Sequence, residues 1–141
     1  MSNFPLLLKT KIYHVISYKA FLMAEIPLPT EITLHKQSKC LALSYDDKQY
    51  RLSAEYLRVH SPSAEVRGHG PGQEVLQTHK ENVGLEKIEP VGHYALKLFF
   101  DDGHDSGLFT WDYLYELAIH QDSLWQDYLN RLQKAGYQRQ Q

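Results

Sequence analysis

Leu98-Phe99-Phe100-Asp101-Asp102-Gly103-His104, running on to Phe109-Thr110-Trp111-Asp112-Tyr113-Leu114, is the stretch on which the fold reading turns. Residues 95–100 are apolar enough for a strand, and Asp-Gly is a strong signal for a hairpin turn. Leu108-Phe109 reads as the returning strand. Thr110 is placed to cap a helix over Trp111 to Ile119. The same order occurs earlier in the chain, as Leu43-Ser44-Tyr45-Asp46-Asp47 followed by Leu52-Ser53-Ala54-Glu55-Tyr56-Leu57. The later copy has two extra residues in its turn. Each unit is strand, turn, strand, capped helix. Two such units predict an α+β fold, with one mostly antiparallel sheet and helices packed on one face.

Outward from the repeat, Ile32 to Lys36 and Cys40 to Tyr45 read as paired strands, and Tyr50 to Leu52 as a third. Ser53 caps a short helix over Ala54 to Val59. Val83 to Ile88 opens the second unit. Near the C-terminus Leu124, Trp125, Tyr128, Leu129 and Leu132 recur at helical spacing, with Ser123 as the cap and Gly136 as the stop. Residues 23–136 are read as a single domain and 137–141 as a frayed tail. In residues 1–22 the apolar runs are broken by Lys9, Lys11 and Lys19, too often for a signal peptide. Those residues are read as an extension or a mis-assigned start ahead of Met23, an added strand or helix being the alternative.

At 141 residues the chain has room for one ordinary domain. Apolar residues make up 43% and aromatics 12%, which suits a packed core rather than a disordered chain. With a net charge of −2 and no basic stripe, a nucleic-acid footprint is not indicated. No run reaches the roughly 18 apolar residues of a membrane span. The single cysteine, Cys40, excludes an intramolecular disulfide and suits a reducing compartment, so a cytoplasmic location is expected. A homodimer is left open, since no residue pattern demands one.

Between the two units lies a polar, glycine-rich loop from His60 to about Asn82. Its first part, with the end of the preceding helix, supplies the candidate interaction residues Arg58, His60, Ser61, Ser63, Glu65, Arg67 and His69. Gly68, Gly70 and Gly72 suggest a nest of backbone amides for an anion. His60, His69 and His79 follow one another at intervals of nine and ten, which fits no compact metal-ligand pattern. His104 stands beside Asp101, Asp102 and Asp105 in a turn, where carboxylates suit a metal or raise the histidine pKa. No calcium loop fits: counted from Asp101 the sixth residue is Ser106, and counted from Asp102 the twelfth is Tyr113. His120-Gln121-Asp122 has the first half of an iron facial triad, but no histidine follows it. Ser61 and Ser63 are nucleophiles for which the sequence places no base.

Leu57-Arg58-Val59-His60-Ser61-Pro62-Ser63-Ala64-Glu65-Val66 resembles the gamma-butyrobetaine hydroxylase-like N-terminal domain family. Val91-Gly92-His93-Tyr94-Ala95 and the 100–114 stretch carry the same resemblance, over roughly residues 26–120. It is closest to the small stand-alone bacterial members, whose function is unknown. In the hydroxylases this domain precedes an iron- and 2-oxoglutarate-dependent catalytic domain. That domain is not in this sequence, so the resemblance implies no enzyme activity. It also implies a structural zinc site, whose three cysteine positions correspond here to Ser61, Ser63 and Val66 and whose histidine is His104. Serine is a poor zinc ligand and valine is none, so no cofactor is expected. The alternative is a rebuilt metal site on His104, drawing on Asp101, Asp105, His60 or His69. The same domain type occurs fused to scaffold ATPases of iron–sulfur cluster assembly. The resemblance therefore implies an adaptor with a protein partner, accessory to iron–sulfur protein biogenesis.

Overall fold

The computed structural model describes residues 26–46 and 48–140. The expectation for residues 1–22, and the start at Met23, lie outside the described residues. Among the described residues six strands and two of four helices form two units of the same order. The first is β1 (Glu31–His35), β2 (Cys40–Tyr45), β3 (Lys48–Ser53) and helix α1 (Ala54–Val59). After the short helix α2 (Ala64–Arg67), the second unit is β4 (Leu85–Val91), β5 (Ala95–Phe100), β6 (Leu108–Thr110) and α3 (Trp111–Ile119). Helix α4 (Gln121–Lys134) closes the described chain.

The α+β architecture stands as read, with every strand pair antiparallel. The strands form two three-stranded sheets, β1-β2-β3 and β4-β5-β6, rather than one continuous sheet. The edges explain the division. Strand β4 carries Pro90, which has no N–H to donate, and its register slips at a bulge between Leu85 and Lys87. Strand β6 has only three residues. Strand β3 is mostly exposed and carries Lys48 and Arg51, charged residues that blunt an edge. In each sheet the middle strand is the buried one: Leu41, Leu43, Leu96 and Leu98 are all 2% exposed or less.

One core serves both sheets. It joins Leu41, Leu43 and Leu52 of the first unit to Leu96, Leu98 and Phe109 of the second, beneath Tyr56, Leu57, Leu114 and Leu117 from α1 and α3. Each fully buried leucine contributes about 1.5–3 kcal/mol of transfer free energy. The two units are joined reciprocally. Tyr56 donates its hydroxyl to the Leu117 carbonyl at 2.7 Å, and Tyr113 donates to the His60 carbonyl at 2.6 Å. Tyr56 and Tyr113 are equivalent positions of the repeat, and each acceptor lies four residues beyond the other tyrosine. The first N–H of each helix is also treated alike: Ala54 donates to Lys39 O and Trp111 to Tyr94 O, each acceptor in the hairpin that opens its unit.

Three local expectations change. Thr110 stands at the N-cap of α3 but makes no side-chain cap bond, whereas Ser53 caps α1 by accepting from the Tyr56 N–H at 3.0 Å. Ser123 is not the cap of α4, which begins directly after His120; Ser123 instead donates to the His120 carbonyl. The tail read as frayed is held down. Gly136, at φ +78°, closes α4 with the Tyr137 N–H on Leu132 O and its own N–H on Gln133 O. Beyond it Tyr137 donates to Glu81, and Arg139 makes a two-pronged pair with the buried Glu55 while stacking on Trp125.

Candidate functional site

The segment from α1 to α2 packs against the β5–β6 turn. Helix α2 interrupts the predicted loop. It forms because Ser63 turns its hydroxyl back on the Glu65 N–H at 3.1 Å. It ends at Gly68, where φ is +76° and a Cβ would overlap the Gln73 carbonyl. The β5–β6 turn delivers His104 against this corner. Its Nε2 lies 2.8 Å from Ser61 Oγ and its Nδ1 2.8 Å from Glu65 Oε1. A carboxylate only accepts, so Nδ1 carries the proton and Nε2 accepts from the Ser61 hydroxyl. Ser61 Oγ accepts in turn from the Ser63 N–H at 3.3 Å, and Ser106 donates to Ser63 Oγ at 3.0 Å. Ser61, Ser63 and His104 are all buried. Burial lowers the His104 pKa and the nearby Arg58 charge lowers it further; Glu65 and Asp102 oppose this without reversing it.

A second anchor sits beside the first. Asp102 accepts from Arg58 Nε at 2.9 Å, Lys80 Nζ at 2.8 Å and the His104 N–H at 3.1 Å. Burial alone would raise its pKa, but the bonds from Lys80, His104 and Arg58, with the Arg58 charge, hold it at about 2. Arg58 is itself buried and reaches Gln77 Oε1 with its other arm. It is thus an internal strut rather than an exposed contact.

Serine, histidine and carboxylate in line have the connectivity of an acyl-transfer triad. The packing removes the nucleophile from use. Ser61 is 1% exposed, and its Oγ is pressed so closely on Gly107 that a Cβ there would overlap it. No acyl group can approach that oxygen without unpacking the corner.

Zinc does not fit these residues. Ser61 and Ser63 use their hydroxyls within the network, Val66 is an aliphatic wall, and both His104 nitrogens are taken. Among the described residues no group of three or more His, Cys, Asp and Glu side chains is placed to hold a metal. Two of the helpers considered for a rebuilt site are engaged elsewhere: Asp101 accepts from the Gly84 N–H, and His60 donates Nδ1–H to the Tyr56 carbonyl at 2.8 Å. Burial lowers the His60 pKa, and Arg131 adds to that against the Tyr56 bond and Asp127.

The remaining loop residues border an open cleft of about 590 Å³. Val59, Val66 and Val75 supply apolar wall, and Arg67, His69, Tyr113 and Arg131 the polar one. Arg67 lies over the Tyr113 ring, 4.8 Å from its centre. The glycine nest is not formed, because Gly68 N–H donates to Ala64 O and Gly72 N–H to Glu74 Oε2. Of the interaction residues named from sequence, Arg58, Ser61, Ser63 and Glu65 thus bind the fold to itself. His60 lines the cleft with one nitrogen already used, and Arg67 and His69 stand open beside it. Sequence reasoning missed Asp102 as the anchor of Arg58, 44 positions away, and Ser106. It also missed Arg131, which at i+4 from Asp127 reads as an ordinary helix-surface pair.

Among the described residues no helix is long and apolar enough to cross a membrane. Nothing among curated proteins matches the chain. Two solution structures are similar to it. One is 64% identical, covering 80% of this chain and 90% of that one at a TM-score of 0.72. The other is 51% identical, covering 82% and 87% at 0.69. A crystal structure from Acidithiobacillus ferrooxidans, of a DUF971-family protein with unknown function, is 38% identical, covering 64% and 91% at 0.51. The family model described as gamma-butyrobetaine hydroxylase-like, N-terminal, matches residues 32–115, and the chain belongs to that family.

Proposed function

We propose that the chain is a non-catalytic interaction module that receives a protein partner at the cleft beside α2. The observation that carries this reading is the division of the 58–72 segment. Its buried half forms a closed hydrogen-bond network, which holds α2 in place. Its exposed half, Arg67, His69 and the following loop to Val75, borders a cleft and makes few bonds of its own. A surface held rigid from behind loses little entropy on binding, which favours recognition. The sealed Ser61 hydroxyl argues against acyl-transfer chemistry at this corner. Family resemblance directs the search for the partner towards iron–sulfur protein biogenesis in the cytoplasm.

The test is affinity capture with the full chain, comparing wild type with a His69→Glu, Val75→Glu double variant. Both positions are exposed, so the thermal melt should stay within about 2 °C of wild type. A partner retained by wild type and lost by the variant supports the reading. An identical set of captured proteins overturns it.

A further inference from the structure

The chain has five arginines: Arg51, Arg58, Arg67, Arg131 and Arg139. Three have their guanidinium groups bonded within the fold. Arg51 donates to Cys40 Sγ, Arg58 to Asp102 and Gln77, and Arg139 to Glu55. Arg67 and Arg131 make no side-chain hydrogen bond among the described residues, and both border the same cleft. Arg67 has no carboxylate within 4.0 Å there and is oriented by the Tyr113 ring beneath it. Arg131 stands 3.3 Å from Asp127 without hydrogen-bond geometry, and its Nε is buried and unpartnered. A buried N–H without an acceptor is costly, and a guanidinium fork suits a planar carboxylate.

From this we infer that the cleft recognises an acidic peptide segment of its partner, a carboxylate side chain held by Arg67 and Arg131 and a neighbouring aliphatic side chain against Val59, Val66 and Val75. The inference rests on reading the cleft as a partner surface. A phosphate dianion suits it less well. The Gly68 and Gly72 amides that would cradle one are already bonded, and Glu74 adds a negative charge to the wall. With a net charge of −2 the chain attracts neither phosphate nor an acidic segment over long range. Recognition then depends on short-range pairing beside apolar contact.

The experiment uses the full chain and fluorescein-labelled octapeptides of alternating Glu and Leu, with Lys/Leu and Gln/Leu peptides as controls, read by anisotropy. The Glu/Leu peptide should bind in preference to both controls. Arg67→Gln and Arg131→Gln should each weaken it roughly tenfold, with melts unchanged. Equal binding of the controls, indifference to both substitutions, or no binding of the Glu/Leu peptide each overturns the proposal. So does displacement of the peptide by millimolar inorganic phosphate, which would assign the arginines to a phosphate ligand. If capture of a partner depends on His69 and Val75 but not on the two arginines, the interaction surface stands and only its acidic chemistry falls.

Discussion

His104 uses both ring nitrogens inside the fold, and that governs how it titrates. Its pKa and that of His60 lie below the ordinary 6.5, chiefly because burial disfavours the charged ring. The sign follows: a depressed folded pKa means the stabilisation is whole above pH 6.5. It declines as pH falls from 6.5 towards the lowered folded values, below which both states carry the proton. Urea midpoints measured between pH 8 and 5 should fall over that window, and His104→Gln should flatten the fall. Asp102 acts in a separate range. Its contribution is present above 3.8 and disappears as pH drops towards about 2. Removing the ring by His104→Ala leaves the Ser61 hydroxyl buried without its acceptor and opens a cavity, for an expected loss of about 2–4 kcal/mol in urea unfolding. Glu65→Gln should cost less, about 0.5–1 kcal/mol, because the Glu65 side chain is 71% exposed. Gly107→Ala forces a methyl group onto Ser61 Oγ and should cost about 1–3 kcal/mol by the same measurement. The residue types of this corner were visible in sequence; their partners were not, because the Ser61–His104 bond spans 43 positions.

Helices α1 and α3 are related by the repeat, and the reciprocal tyrosine bonds are what that relation achieves. Tyr56→Phe strands a buried carbonyl and should lower stability by about 1–2 kcal/mol. Tyr113→Phe should cost somewhat less, its site being only half buried. Paired melts of the single and double variants should give near-additive losses, since each hydroxyl has its own acceptor. The strands and helices α1 and α3 were legible at this scale because alternation, Asp-Gly and Ser capping are local signals. The errors are equally local in origin. Helix α2 has only four residues and so no periodicity to display, although Ser63 followed by Glu65 carries its capping signal. Helix α4 follows α3 after the single residue His120, which leaves no polar linker to mark its start.

At the scale of the whole molecule, the C-terminal tail ties the last helix to the first unit. Glu55 is 8% exposed and depends on Arg139 for its counter-charge. Truncation after Gly136 should therefore expose Trp125 and strand that carboxylate, at a cost of about 2–4 kcal/mol. The melting temperature of the truncated chain, about 5–15 °C below that of the full chain, checks this. Unchanged melting would mean that the tail is incidental to the fold. The sequence by itself determined the two strand–turn–strand–helix units, the antiparallel pairing and the α+β class. Each of these rests on periodicity, turn chemistry and capping between residues close in the chain. Tertiary structure alone decided that the strands part into two sheets, that Arg58 and Glu65 serve the interior, and that Arg67 and Arg131 border one cleft. Those outcomes depend on which distant group reaches a donor or acceptor first, and on what burial leaves unpaired. Neither quantity is carried by spacing along the chain.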